Sequence, residues 1–181
     1  MKRYILTGAP GAGKTVILCA LKHRGFTVVE EAATDICAER QARGDPEPWR
    51  SPGFIDDIVG LQRRRQLAAG ARENGVQIFD RSPVCALALA RFLGFAVSDT
   101  LARELDRIRS QGTYEPKVFF VENLGFIANT PIRRISLSEA ERFGHVHKAA
   151  YLEAGYELVR IAPGPPEGRA DAVVRLIQSS S

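Results

Sequence analysis

The 181-residue sequence has few cysteines and no long apolar run. Its three cysteines, Cys19, Cys37 and Cys85, are far apart and lie among Ala, Ile and Leu, which favours reduced, buried thiols over disulfides or a metal site. No stretch approaches the ~20 apolar residues of a membrane span, and the first residues lack the apolar core of a signal peptide. We therefore expect a cytoplasmic protein that does not bind membranes.

The sequence also lacks a basic block interleaved with aromatic residues, although its net charge is +4. A nucleic-acid-binding surface usually carries such a block, so the composition disfavours this function. The basic excess equally suits an enzyme of anionic phosphates, because a guanidinium group binds phosphate through two hydrogen bonds. With 45% hydrophobic and 25% charged residues, the chain has the composition of one globular domain that spans residues 1–181.

A glycine-rich segment follows the first apolar run, at 4–6, and precedes a helical pattern at 16–22. It reads G-x-x-x-x-G-K-T, and the strand before it and the helix after it predict a phosphate-binding loop (P-loop, or Walker A motif). Its backbone N–H groups would surround a β-phosphate, Lys14 would reach the β and γ oxygens, and Thr15 would ligate Mg²⁺. The predicted nucleotide-binding residues are Gly8, Ala9, Pro10, Gly11, Ala12, Gly13, Lys14, Thr15 and Val16.

Five short β-rich runs alternate with helical patterns along the chain. This alternation predicts a parallel sheet with helices on both faces, which is a three-layer α/β fold. Ligands of such sheets bind beyond the carboxyl ends of the strands, so the residues that follow each run are the candidates for one site. The runs lie at residues 3–7, 26–30, 76–80, 117–122 and 156–161.

Acidic residues close two of these predicted strands. Glu30 and Glu31 follow the second strand, where either could act on a substrate hydroxyl as a general base or ribose ligand. The alternative is a solvated pair that opens the next helix. Asp80 ends the third strand, where P-loop proteins hold Mg²⁺ or its water, and Arg81 follows it. The alternative for Asp80 is an ordinary acid at a strand end.

Two loops carry further candidates. Residues 44–53 contain three prolines and Trp49, which could stack on a planar substrate or fill the core beneath the loop. Residues 123–136 have no regular period and carry Arg133 and Arg134, which suggests a lid that brings positive charge to a transferring phosphoryl group. An ordinary basic surface loop is the alternative for this second segment.

Two helical patterns carry basic residues that we interpret as structural. The pattern at 54–74 contains three arginines, at 63–65, which point in different directions and predict a solvated face. The pattern at 138–154 places His147 on its apolar stripe and His145 off it, so the two cannot share a metal. Both histidines are predicted to be core or surface side chains.

In combination, these motifs resemble the AAA-28 family of predicted ATPases, which is similar to the kinase domain of the bacterial NadR protein. The resemblance covers nearly the whole chain. Beyond the P-loop and the paired glutamates, it rests on Pro48-Trp49, Phe79-Asp80-Arg81, the two lid arginines and Ala154-Gly155-Tyr156-Glu157-Leu158. No run of four apolar residues ends in two acids, as it does in AAA motors, so a ring motor is not expected.

The resemblance implies a five-stranded parallel sheet in the order 2-3-1-4-5, with Mg-ATP or Mg-GTP at the P-loop and a lid that closes over it. It implies that Glu30 or Glu31 faces the phosphate acceptor. It also implies that Asp80 faces the metal and that Arg81 faces the acceptor or the phosphates. The implied lid arginines are Arg133 and Arg134.

The sequence therefore predicts a P-loop phosphotransferase that moves the γ-phosphoryl group of Mg-ATP to a small hydroxylated, nucleoside-like acceptor. The alternative is a nucleotide-dependent ATPase or GTPase switch that acts through a protein partner. ATP and GTP both stay open as donors because the sequence has no N-K-x-D motif, and no interface motif predicts an oligomeric state. The predicted catalytic residues are Lys14, Glu31, Asp80, Arg81, Arg133 and Arg134; the acceptor-binding residues are Glu30, Glu31, Trp49 and Arg81; and the metal ligands are Thr15 and Asp80.

Overall fold

Five parallel strands form the central sheet in the computed structural model, which describes residues 1–70, 75–122 and 137–179. The spatial order of the strands is β2-β3-β1-β4-β5, and every neighbouring pair is parallel. The predicted sheet and its order are thus confirmed. The strands are β1 (Lys2–Thr7), β2 (Thr27–Val29), β3 (Val76–Asp80), β4 (Lys117–Val121) and β5 (Glu157–Ile161).

Helices cover both faces of the sheet, as a parallel sheet requires. The described residues form seven: α1 (Lys14–His23), α2 (Ala33–Ala42), α3 (Gly53–Ala68), α4 (Pro83–Leu93), α5 (Asp99–Ser110), α6 (Leu137–Glu153) and α7 (Pro166–Gln178). Helices α1 and α7 pack against each other on one face, and α2 to α6 form the layer on the other face. Within the described ranges, no helix combines the length and apolar character that a bilayer crossing needs.

The first strand explains why both faces need a helical cover. Ile5 contributes to the apolar cluster under α2 to α6, whereas Tyr4 and Leu6 contribute to the cluster under α1 and α7. Successive side chains of a strand point to opposite faces, so a run of consecutive apolar residues such as 4–6 must be buried on both. β1 lies between β3 and β4, with Ile5 opposite Phe79 and Leu6 opposite Phe119.

The predicted helix at 54–74 is wrong at its carboxyl end, because α3 stops at Ala68. Ala69 leaves the helical conformation, with φ −66° and ψ 107°. The Gln77 side chain on β3 donates to the carbonyl oxygens of Ala69 (2.8 Å) and Gly70 (3.1 Å). A side chain seven and eight residues further along the chain thus satisfies carbonyls that a longer helix would have used.

The turn from β1 into α1 comes unusually close to a neighbouring strand. Gly8 has φ +146°, and a Cβ atom at this position would lie 2.3 Å from the carbonyl oxygen of Val121 on β4. Only glycine combines this backbone conformation with such a close approach. Gly8 therefore sets the position of the P-loop relative to the carboxyl end of β4.

We predict that Gly8→Ala lowers the free energy of unfolding by about 2 to 4 kcal/mol, because backbone strain and a steric clash add together. Gly25→Ala is the matched control: Gly25 also has positive φ, +87°, but a Cβ atom there would meet nothing within 4 Å. The control should lose only about 1 kcal/mol. Urea denaturation of the two variants measures both values, and equal losses would contradict the role given to the contact with Val121.

Candidate functional site

The P-loop joins β1 to α1 and has the backbone that the sequence predicts. Gly11 and Gly13 have positive φ, 82° and 83°, and Gly13 precedes α1 in the left-handed conformation. No side chain caps the start of α1. The backbone N–H groups of its first turn are therefore left for another acceptor, and an anion is the acceptor that the helix dipole favours.

Lys14 folds back over the loop that precedes it. The side chain is only 8% exposed, and its Nζ donates to the carbonyl oxygens of Gly8 and Ala9, each at 3.1 Å. Burial, together with the positive charge of Arg81, lowers the pKa of Lys14 to about 7. The phosphate oxygens of a nucleotide would reverse this effect by favouring the ammonium form.

Glu31 and Arg81 form an ion pair at the carboxyl ends of β2 and β3. Arg81 Nε lies 2.6 Å from Glu31 Oε1, and Thr34 donates to Glu31 Oε2 at 3.1 Å. Burial alone would raise the pKa of Glu31, but Arg81, Lys14 and the bond from Thr34 outweigh it, and the pKa lies below its usual value. Glu31 is consequently a carboxylate at neutral pH, ready to accept a proton or a hydrogen bond.

Arg81 occupies a conformation that few side chains adopt. Its φ is +74°, the only positive value for a residue other than glycine in the described part of the chain. The backbone N–H of Arg81 donates to the carbonyl oxygen of Leu6 at 3.1 Å, which holds this turn against β1. Strained residues of this kind concentrate at functional sites. Although buried, the guanidinium is held in its charged form because Glu31 and Asp80 raise its pKa.

The two adjacent glutamates have different environments. The Glu30 carboxylate is 69% exposed and pairs with Lys22 on α1 at 2.9 Å, whereas the Glu31 side chain is only 22% exposed. The exposure of Glu30 thus agrees with the alternative of a solvated side chain, whereas Glu31 faces Lys14 and Arg81. Neighbouring residues at a strand end point to opposite sides, so only one of the two could face the P-loop.

Asp80 has a polar atom without a partner. Its Oδ1 is buried and accepts no hydrogen bond among the described residues. Burial and the nearby charge of Glu31 raise the pKa of Asp80 to about 6. The exposed Thr15 hydroxyl belongs to the first turn of α1. The described residues contain no group of three or more His, Cys, Asp or Glu side chains that could bind a metal unaided.

Arg65 braces the segment that carries Glu31. One of its amino groups donates to the carbonyl oxygens of Glu30 (3.1 Å) and Glu31, and the other pairs with Asp35 on α2. The solvated face predicted at 63–65 is therefore wrong for Arg65. Helical geometry predicts that the three arginines point in different directions. It does not predict that the end of β2 lies beside α3, and no feature of the sequence indicates this contact.

A buried polar cluster lies directly beneath the P-loop. His147 Nε2 is 3.0 Å from Thr7 Oγ1 and 2.9 Å from Cys85 Sγ, and Tyr151 stacks on the imidazole. The Tyr151 hydroxyl in turn lies 2.8 Å from Ser82 Oγ. These contacts join α6 to β1 and to the start of α4. His147 is fully buried, which agrees with its predicted place in the core.

Arg169 is a second brace that the sequence did not reveal. It is 4% exposed, and its two amino groups donate to the carbonyl oxygens of Ala12 (2.8 Å) and Glu122 (2.9 Å). Ala12 belongs to the P-loop, and Glu122 follows β4. A single α7 side chain therefore ties the nucleotide loop to the edge of the sheet where the segment 123–136 begins.

The remaining predicted residues are Trp49 and the two lid arginines. Trp49 is half-buried and packs against the apolar cluster under α2 to α6, as the core-filling alternative predicts. Arg133 and Arg134, with the whole predicted lid at 123–136, lie outside the described residues.

A cavity of about 160 Å³ opens between the P-loop, α3, α4 and α6. Glu31 and Arg81 are part of its wall, and Pro10 connects it to the P-loop. Trp49 and Glu30 are not among the residues that line it. Its lining residues are Pro10, Glu31, Ala33, Ile58, Gln62, Arg81, Cys85, Ala86, Leu89 and Phe143.

The parallel sheet, the P-loop and the charged cluster define a nucleotide-binding P-loop protein with the P-loop kinase fold. Residues 3–169 match the family AAA_28, an AAA domain, and the chain belongs to this family. The predicted resemblance is confirmed. Membership of this family accounts for the fold and for the nucleotide-binding site.

A protein of Granulibacter bethesdensis described as a nucleotide-binding protein is 30% identical over an alignment of 151 residues that covers 77% of this chain. The chain spans 45% of the length of that relative. The fold is similar to shikimate kinase from Acinetobacter baumannii in complex with shikimate, with a TM-score of 0.63, 15% identity, and coverage of 100% of this chain and 95% of that one.

Deoxyadenosine kinase from M. mycoides, solved with the products dCMP and dCDP, has a TM-score of 0.62 and 12% identity. The match covers 98% of this chain and 99% of that chain. At these identities the two kinases establish the fold.

The environment of His147 generates a prediction about pH. Burial and the positive charges of Arg81 and Lys14 hold its pKa well below the usual value, while Glu31 opposes them weakly. Below pH 6.5 the unfolded chain therefore binds a proton that the folded protein does not. Stability should fall with decreasing pH in this window, by up to about 1.4 kcal/mol per pH unit from this group.

We predict that His147→Gln, which cannot titrate, reduces the loss of stability between pH 7 and pH 5. His145→Gln is the control, because His145 is exposed on the same helix. Asp80 has a raised pKa and opposes the effect, but it is common to all the variants and cancels in the comparison. Urea denaturation at pH 7, 6 and 5 measures the slopes. Parallel slopes for the wild type and His147→Gln would refute the assignment.

Proposed function

We propose that this protein is a kinase that transfers the γ-phosphoryl group of Mg-ATP to the hydroxyl group of a small acceptor. The observation that carries the proposal is the Glu31–Arg81 pair at 2.6 Å in the wall of a cavity that adjoins the P-loop. A kinase needs an acceptor pocket beside its phosphate site, whereas a switch needs an exposed surface that responds to the nucleotide. The similarity of fold to two small-molecule kinases agrees with this choice.

Each charged residue has a role in the proposed transfer. The acceptor oxygen forms a bond to the γ-phosphorus as the bond from that phosphorus to the β,γ-bridging oxygen breaks, which releases ADP. Glu31 orients the acceptor hydroxyl and takes its proton, which then passes to solvent. Lys14 and Arg81 stabilise the negative charge on the transferring group, since preorganised charge is the main source of rate in this chemistry.

Asp80 and Thr15 are the residues that would hold Mg²⁺. The donor set fits a hard cation, because Asp80 Oδ1 is buried without a hydrogen-bond partner in the described part of the chain and the Thr15 hydroxyl is exposed. The ion would supply positive charge at the β and γ oxygens. Arg133 and Arg134 complete the proposal as lid arginines that act on the same group.

We predict that Lys14→Ala preserves the fold, measured by circular dichroism, and lowers turnover by at least about 100-fold, because a charge aimed at the transferring phosphoryl group is lost. Lys22→Ala is the matched control, since Lys22 is an exposed lysine of the same helix that pairs with Glu30. The control should retain full turnover. Unchanged turnover in folded Lys14→Ala would exclude the proposed role of the P-loop lysine.

Mass spectrometry identifies the product directly. The protein is incubated with Mg-ATP, and separately with Mg-GTP, against a panel of nucleosides, nucleotides and small sugars. A phosphorylated product that forms with the wild type and Lys22→Ala, but not with Lys14→Ala, establishes the kinase and its donor. Nucleotide binding with slow hydrolysis and no phosphorylated acceptor would instead favour a switch that acts through a protein partner.

A further inference from the structure

The cavity beside the P-loop is apolar over most of its wall. Ile58 on α3, Ala86 and Leu89 on α4, and Phe143 on α6 supply its hydrocarbon surface, and all four lie on helices that pack against one another. Such walls select ligands through excluded water and shape, and the few polar groups among them fix orientation. The polar lining groups therefore decide which acceptor can enter.

The charge in the wall is already balanced. Among the described residues that line the cavity, Arg81 is the one lysine or arginine, and it pairs with Glu31 at 2.6 Å. Both groups are ionised, so they add no net charge. An acceptor with a carboxylate or phosphate of its own would bring a further negative charge into a largely apolar space whose described positive charge is already paired, and an unpaired buried charge is strongly disfavoured.

Gln62 is the remaining polar side chain of the wall. Its Oε1 is buried and accepts no hydrogen bond from any described residue. Gln62 lies four residues after Ile58 on α3, so both side chains occupy the face of the helix that lines the cavity. A buried carbonyl oxygen without a donor is unfavourable, and a ligand that brings an N–H or O–H group to it removes that cost.

The volume limits what the apolar part can hold. At about 160 Å³, it is similar to the engineered cavity of ~150 Å³ that binds benzene. One flat ring therefore fits among Ile58, Leu89 and Phe143. Phe143 offers an aromatic face for such a ring, and stacked or edge-on contact between rings is favourable.

We propose that the cavity takes an uncharged acceptor that carries a flat ring, with an N–H group of the ring donating to Gln62 Oε1 and a hydroxyl group facing Glu31. Nucleosides have this combination of groups. The inference rests on the proposed kinase function, which it deepens by naming the acceptor class and assigning Gln62 to its selection. Acceptors with carboxylate or phosphate groups are disfavoured by the same charge balance among the described residues.

The first test measures binding without transfer. Isothermal calorimetry is carried out on the full chain loaded with Mg²⁺ and a non-hydrolysable ATP analogue, with the four common 2′-deoxynucleosides and their 3′-monophosphates as probes. We expect at least one nucleoside to bind at least about tenfold more tightly than its monophosphate. Tighter binding of the monophosphates, or no binding of any nucleoside at millimolar concentration, would overturn the proposal.

The second test addresses Gln62. In Gln62→Leu the acceptor oxygen is replaced by a side chain of similar size, which should be tolerated because the oxygen has no protein partner to lose. We expect this variant to bind the preferred nucleoside about 10- to 100-fold more weakly and the nucleotide analogue as the wild type does. Arg64→Gln is the control on the same helix, since Arg64 is exposed and does not line the cavity.

A methylated probe separates hydrogen bonding from a change of shape. The wild type should discriminate against the nucleoside analogue methylated at its hydrogen-bonding N–H, and Gln62→Leu should bind both forms to within about threefold. Equal discrimination by the wild type and Gln62→Leu would show that Gln62 does not select the acceptor.

The binding tests and the transfer assay can fail separately. If nucleosides bind in the Gln62-dependent manner but no phosphorylated product forms, the kinase function fails and the ligand class stands. If the protein phosphorylates shikimate or another acidic acceptor faster than any nucleoside, the kinase function stands and the inference about charge is overturned.

Discussion

Four charged side chains share the space at the carboxyl ends of β1, β2 and β3, and the balance among them constrains the site. Lys14 and Arg81 supply two positive charges, and Glu31 and Asp80 can supply two negative ones. The four charges are not paired equally. Glu31 and Arg81 form a direct ion pair that keeps both of them ionised. Burial instead lowers the pKa of Lys14 and raises that of Asp80, so both values lie closer to neutral pH. Desolvation of an ion is costly, so the two residues without a close opposite charge are the ones that change protonation state most easily.

The rest of the structure holds these four charged side chains in position through contacts between residues that are far apart in the sequence. Arg65 reaches from α3 to the end of β2, Arg169 reaches from α7 to the P-loop, and His147 joins α6 to β1 beneath it. Each contact supplies a hydrogen-bond partner to a backbone carbonyl or a hydroxyl group, and such groups are nearly always paired in folded proteins. The close approach of Gly8 to Val121 adds a steric constraint of the same kind.

The sequence was sufficient for the fold because its signals are local. The P-loop spacing and the alternation of β-rich and helical patterns are read over a few residues, and the parallel sheet follows from how such elements can connect. The braces at Arg65 and Arg169 could not be predicted, since an arginine that donates to a backbone carbonyl far along the chain has no sequence pattern. For the same reason Glu30 could not be distinguished from Glu31, and Trp49 could not be assigned to the core. The end of α3 was misjudged because a side chain of β3 bonds to the carbonyls of Ala69 and Gly70, which a longer helix would have used.

The unequal matching of charges bears on how a kinase would tell its two substrates apart. On the donor side, the described partners of Lys14 are the carbonyl oxygens of Gly8 and Ala9, which are weaker partners than phosphate oxygens. A bound nucleotide would therefore contact the ammonium group of Lys14 and favour the protonated form of this side chain. On the acceptor side, Arg81 is already paired with Glu31, so an anionic acceptor gains less from it than a phosphate gains from Lys14. An enzyme that transfers phosphate between two similar molecules has to bind the charged one at the P-loop and the less charged one beside it. In the proposed kinase, the pairing of Glu31 with Arg81 would provide that asymmetry before either substrate enters.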